Sequence, residues 1–140
     1  MFPTSLRASL AFVCLFLIGC GNSGIVFVSG TLTYKGKPVT NAFINFVPTD
    51  GGRPSIGETD ASGKFTLTYD PQTKGAKTGK HKVFVTHNAV ADAGKAGAIP
   101  GMPAVMSGDL QELFRKYNGD NSPILVEITK SEGNLELKWE

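Results

Sequence analysis

Cysteine is nearly absent from the chain, with two in 140 residues, Cys14 and Cys20. Cys14 lies inside an apolar N-terminal run and would leave with it, so no intrachain disulfide can form and the fold must rest on its apolar core. No apolar run is long enough for a permanent transmembrane helix, because the run from Ala8 to Ile18 falls well short of the ~20 residues that crossing the hydrocarbon requires. Neither charge sign dominates: 14 Lys and Arg stand against 12 Asp and Glu. The lysines are scattered instead of being clustered with interleaved aromatics, which excludes the usual footprint of a nucleic-acid binder. A chain of this length is expected to form one globular domain.

What is present begins with a secretion pattern. Arg7 precedes the uncharged run Ala8 to Ile18, the order of a signal that is exported and removed. Leu17, Ile18, Gly19 and Cys20 match the lipobox of bacterial lipoprotein precursors, with cleavage between Gly19 and Cys20. The chemistry needs a thiol where the chain leaves the membrane, since the sulfur receives a diacylglyceryl group and the new amino terminus can then be acylated. Two or three acyl chains give stable anchoring, whereas one alone holds only marginally. The competing reading is a plain signal peptide in which Cys20 is incidental. The expected organisation is a signal peptide over 1–19, a lipidated Cys20 with a short linker over 20–24, and a folded domain over 25–140. Gly21 and Asn22 follow the cysteine, without the aspartate that retains some lipoproteins at the inner membrane, which favours export to the outer membrane.

From Ile25 onward, short runs of Val, Ile, Phe, Thr and Tyr are separated by Gly, Pro, Asp and Asn clusters, the all-β pattern. Val26, Val28, Gly30, Leu32 and Tyr34 share one parity, as do Ala42, Ile44 and Phe46, then Phe65, Leu67 and Tyr69; each set predicts one buried strand face. Lys35 to Pro38 makes a turn, and Pro48 closes its strand because proline has no ladder donor. In Thr59 to Phe65, Asp60 is expected to accept backbone hydrogen bonds inside its own turn and Gly63 to supply the positive φ that ends it. A calcium role for Asp60 would need several closely spaced oxygen ligands; Asp50, Asp60 and Asp70 lack that spacing.

His81, Val83, Val85 and His87 share a face of the next strand. Six residues at 3.3 Å each put the two histidines roughly 20 Å apart, too far for one metal ion, so His81 reads as a packed residue bonded locally and His87 as the wet end of the strand. No cofactor or metal site is expected. Residues 88–108, rich in Ala, Gly and Pro with an apolar tip from Ile99 to Met106, read as a long loop, either a binding element or an insertion without one. Asp109 and Glu112 suit a capping box, Leu110, Leu113, Phe114 and Tyr117 lie on one face of a short helix, and Gly119 is placed to end it. Ile124, Val126 and Ile128, then Leu135, Leu137 and Trp139, predict two last strands paired as a hairpin through Ser131 to Asn134. The total is about seven strands, a number that suits a β-sandwich.

The segments VSGTLTYKGKPVTNAFINFVP, TDASGKFTL and GKHKVFVTH resemble the carboxypeptidase regulatory-like domain, a transthyretin-like sandwich, as found in small lipoproteins of planctomycete-type bacteria. The matching positions are Gly30, Gly36, Pro38, Asn41, Ala42, Thr59, Asp60, Gly63 and Phe65, with a similar ending at Lys116, Tyr117, Ser122, Pro123 and Glu132 to Asn134; His81 departs from the tyrosine often found there. The resemblance implies a single Ig-like or prealbumin-like sandwich with one short helix before its last two strands. It carries no catalytic residue and no ligand, because its motifs are structural.

The expectation for function is a membrane-anchored cell-envelope lipoprotein acting as a non-enzymatic binding or scaffold module. Its partners would be membrane lipid through Cys20 and an envelope protein or glycan. A carbohydrate-binding surface is the alternative; its candidate platforms are Phe43, Phe84 and Tyr34, with Trp139 assigned by parity to the core. A hydrolase is the third reading. Transthyretin-like folds include one, but its histidine and arginine constellation and its Tyr-Arg-Gly-Ser ending are missing from a chain that finishes Leu-Lys-Trp-Glu. Nucleophile with base, metal cluster and paired carboxylates in a cleft are not found at convincing spacings.

Overall fold

Alternation along β2 (Val28–Tyr34) buries Val28, Gly30, Leu32 and Tyr34 and leaves Ser29, Thr31 and Thr33 half-exposed, the burial that its sequence parity predicts. The computed structural model describes residues 24–88 and 107–140. In chain order the elements are β1 (Ile25–Val26), β2, β3 (Lys37–Pro38), β4 (Ala42–Pro48), β5 (Ser55–Glu58), β6 (Lys64–Thr66), β7 (Thr68–Asp70), β8 (Thr73–Lys74), β9 (Ala76–Lys77) and β10 (Gly79–His87). Then come α1 (Gly108–Lys116), β11 (Ile124–Ile128) and β12 (Glu132–Trp139). Where about seven strands are expected, the described residues hold twelve, of two to nine residues. Joining those separated only by Phe27, Leu67, Gly75 or Thr78 leaves eight runs, 12 − 4.

The described residues form an all-β sandwich with one short helix. One sheet has the order β11-β10-β4-β5-β7-β8; the other has the order β12-β2-β3, with β6 also paired to β2, while β1 and β9 form a separate small pair. The inward faces meet in a single core. Leu32, Ile44, Phe46, Leu67, Val83, Val85 and Ile128 are all essentially inaccessible there. Each such side chain contributes about 1.5–3 kcal/mol relative to an exposed position.

Two local features fix the registers. Lys35 and Gly36 both have positive φ (49° and 77°), the primed turn whose twist suits a two-residue hairpin, and it pairs Tyr34 with Lys37. Gly30 sits so close to β12 that a Cβ there would overlap the Leu135 carbonyl, which makes glycine obligatory at that point of contact between strands.

The hairpin expected of the last two strands does not form. β11 runs antiparallel to β10, while β12 crosses to the other sheet and runs parallel to β2. The apolar parity of both strands is preserved, so each is satisfied by burial in a different sheet. Glu132 to Asn134 belong to β12 rather than to a turn.

The helix also differs in detail. Ser107 is the N-cap and makes no side-chain capping bond; the capping box of Asp109 and Glu112 is replaced by ion pairs, Asp109 to Lys37 at 3.1 Å and Glu112 to Lys35 at 2.7 Å. These carboxylates reach the β2–β3 turn because α1 closes the sandwich at that end. There Leu113 is fully buried, and the Tyr117 carbonyl accepts from the Val85 amide at 3.0 Å. Lys116 ends α1 and Gly119 instead opens a short 3-10 turn. Of the expected 88–108 loop, Asn88 and Ser107 are loop residues and Gly108 is already helical; residues 89–106 lie outside the described residues.

Candidate binding groove

A groove forms where the chain changes sheets. After β5 the chain turns through Thr59 to Gly63, pairs β6 with β2 in one sheet, and at Leu67 crosses so that β7 pairs with β5 in the other. Leu67 itself is fully buried, its amide donating to the Val28 carbonyl and its own carbonyl accepting from Gly75. β5 and β6 therefore lie side by side without a ladder between them. The space amounts to about 620 Å³ and is lined by Phe43, Ile56, Glu58, Asp60, Lys64, Phe65, Thr66 and Thr68. Gly57 allows this approach, since a Cβ there would stand 3.0 Å from the Thr66 carbonyl oxygen. A smaller hollow of about 190 Å³ opens on the far side of β6, between Ser29 to Thr31 and Gly133 to Asn134.

Asp60 and Gly63 hold the turn above the groove. Asp60 Oδ1 accepts from the Ser62 amide at 2.8 Å and from the Lys64 amide at 3.0 Å, and Gly63 has φ +75° with the Leu32 carbonyl 2.6 Å from where a Cβ would be. Beneath the turn, the buried Thr59 hydroxyl accepts from the Ala42 amide at 3.0 Å. Glu58 on the rim accepts from Asn88 Nδ2 at 2.6 Å. The groove thus combines a floor of Phe43 and Ile56, the latter 44% exposed, with hydroxyl and charged rims. That surface suits reversible binding of an extended ligand that has both apolar and hydrogen-bonding groups.

The aromatic candidates separate. Phe43 lies in the groove and half-buried Phe84 lies on the same outer face, opposite Asn45, one diagonal step from Phe43. Tyr34, a candidate platform by sequence, is instead buried: only 3% exposed and edge-on to Tyr117 at 6.2 Å. Trp139 is also in the core, its ring 4.7 Å from that of Tyr117.

The histidines occupy opposite ends of β10. His87 packs against the Phe114 ring at 5.5 Å. His81 is completely buried beside Phe46, with Nδ1 3.0 Å from the Gly79 carbonyl. A carbonyl can only accept, so Nδ1 carries the proton and Nε2 is left as a buried acceptor without a partner. Burial holds the His81 pKa below the ordinary histidine value, against the opposing pull of the Gly79 bond and of Asp50. Among the described residues, no group of three or more His, Cys, Asp or Glu side chains is placed to hold a metal ion.

Gly19 and Cys20 lie outside the described residues. No helix among the described residues is long and apolar enough to cross a membrane. The sequence reading missed β5, whose four residues Ser55 to Glu58 include a single large apolar side chain, and with it the groove; the Gly57 between two outward-facing residues was the available signal, since a strand glycine often marks close approach of another segment. Comparison of the chain with family models, curated proteins and solved structures returns no match.

Proposed function

We propose that the protein is a cell-envelope lipoprotein, exported, cleaved after Gly19 and lipidated at Cys20, whose carboxypeptidase regulatory-like sandwich serves as a non-enzymatic binding or scaffold module. The observation that carries this reading is the lipobox Leu17 to Cys20 at the end of the apolar run, and it stands close to the fold. Gly24 already accepts a hydrogen bond from the Thr78 amide at 3.0 Å, and Ile25 and Val26 pair with Lys77 and Ala76. Four residues reach at most about 14 Å from Cys20, so the end of the sandwich bearing β1 and β9 faces the lipid surface. The end bearing α1 and the Asp60 turn points away from it, and the groove runs along the side of the sandwich from that turn to Thr68.

A second reading, glycan binding, is favoured by one observation: Phe43 and Ile56 form an apolar floor flanked by Thr66, Thr68 and Glu58. Sugar rings present apolar faces and hydroxyl edges of that kind. Cross-linking in cells followed by mass spectrometry, applied to the intact chain and to one lacking residues 89–106, tests the two together. A specific protein neighbour lost on deletion is the result expected of the interaction module. No neighbour in either form, together with a thermal shift on adding cell-wall polysaccharide that Phe43→Ala abolishes, would transfer the assignment to glycan binding.

A further inference from the structure

β11 is an edge strand, and its free side is unusually ready to pair. The opposite edge of the same sheet, β8, is two residues long, and β3 in the other sheet is equally short; β12, the remaining edge, is long but carries the charges of Glu132, Glu136 and Lys138 and a register irregularity against β2, both common ways of blunting an edge. β11 has five residues, Ile-Leu-Val-Glu-Ile, with one charge and no proline. Leu125 is 66% exposed, the most exposed large apolar side chain among the described residues.

The backbone directions follow from β10. Lys80 presents its carbonyl to Thr49, beyond the end of β4, while Val83 accepts from the Ser122 hydroxyl and Val85 donates to Tyr117, both on the β11 side. Odd residues of β10 therefore address β11, and they pair with Ile128, Val126 and Ile124. In an antiparallel ladder the backbone groups of the intervening residues point the other way. Those of Leu125 and Glu127 thus face outward, and no described element pairs with that side of β11.

We infer that β11 is a self-pairing surface, and that two copies of this chain join antiparallel about Val126 to make one continuous sheet. With Val126 opposite its counterpart, Leu125 meets Glu127 of the other copy, and each such pair exchanges both of its backbone hydrogen bonds. Ile124 meets Ile128, so the inward face of the joined sheet stays apolar. On the outward face Lys82 neighbours Leu125 and Lys80 neighbours Glu127 across β10, so the row across the junction reads Lys82, Leu125, Glu127, Lys80. No like charges are directly opposed, and each Glu127 lies between its own Lys80 and an apolar neighbour. Other registers lose this match: a two-residue shift that sets Glu127 opposite Glu127 places like charges face to face.

The test uses the full chain in the cells that produce it. Val126→Cys places two thiols across a non-hydrogen-bonded pair, where Cβ atoms approach to about 4.5–5.5 Å. Mild oxidation is expected to give a disulfide-linked dimer in excess of any formed by the unsubstituted chain. Adding Leu125→Glu, which opposes two carboxylates at each end of the junction, is expected to cut that product at least tenfold. Adding Leu125→Glu together with Glu127→Leu restores the apolar-to-acid pairing and is expected to recover it. Circular dichroism of each variant confirms the fold, which substitution at exposed Leu125 leaves intact. No dimer with Val126→Cys, a dimer indifferent to Leu125→Glu, or failure of the exchanged pair to recover it would each overturn the proposal.

Discussion

β11 and β12 are neighbours in sequence with the same alternation of large apolar residues and each lies at the edge of a sheet, yet the sheets, strand directions and degrees of burial differ. β12 lies parallel to β2, with Leu137 and Trp139 buried and Gly30 accommodating its backbone. β11 lies antiparallel to β10 in the other sheet, with Leu125 exposed to solvent. The difference teaches that side-chain parity specifies which face is buried but not which strand is the neighbour. Partner choice came from long-range contacts: the Ser122 hydroxyl bonding Val83 in β10, and the space that glycine leaves at position 30.

The contrast can be broken most severely at Gly30. Gly30→Ala forces a methyl group into the Leu135 carbonyl and should cost about 3 kcal/mol, read as a fall in the urea midpoint or as loss of a cooperative transition. The two strands themselves should respond unequally. Leu137→Ala in β12 should cost about 2–4 kcal/mol, whereas Leu125→Ala in β11 should stay within about 0.5 kcal/mol; similar costs would contradict the placement of the strands.

Acid sharpens the comparison on the β10–β11 side, where His81 stands opposite Val126. Because burial lowers its folded pKa, the unfolded chain takes up a proton first as pH falls below about 6.5. Stability is therefore full above that pH and declines below it, by at most about 1.4 kcal/mol per pH unit, until the folded pKa is reached. His81→Leu should remove that part of the slope in chemical denaturation at pH 5 and pH 7, and an unchanged slope would show that His81 does not carry it.

The smallest effect belongs to the exposed pair Lys35 and Glu112, in which each group holds the other in its charged form. Lys35→Met should move the thermal midpoint little, and the residual difference should vanish in high salt, as expected of a screened surface pair.

The fold was legible where periodicity and turn chemistry act locally. The buried parity of β2, β4 and β10 could be read directly, as could the turn at Asp60 and Gly63, because strand burial has a period of two and turns need particular backbone angles. The helix face of Leu113 and Tyr117 was equally clear. What escaped was non-local. Asp109 and Glu112 have a capping pattern, but tertiary placement puts Lys37 and Lys35 within reach. Tyr34, offered as a sugar platform, is covered because α1 brings Tyr117 against it. The groove depends on the sheet change at Leu67, where a fully buried leucine continues an ordinary alternation and gives no sign of the crossover. The proposed lipobox, by contrast, rests on sequence chemistry alone at Gly19 and Cys20.

The most direct measurement is the intact mass of the protein extracted from membranes, with fragmentation of its N-terminal peptide. The proposed reading predicts a chain beginning at Cys20, heavier than residues 20–140 by a thioether-linked diacylglyceryl group, with or without an added acyl chain. A chain that retains residues 1–19, or one that begins with an unmodified Cys20, would contradict it.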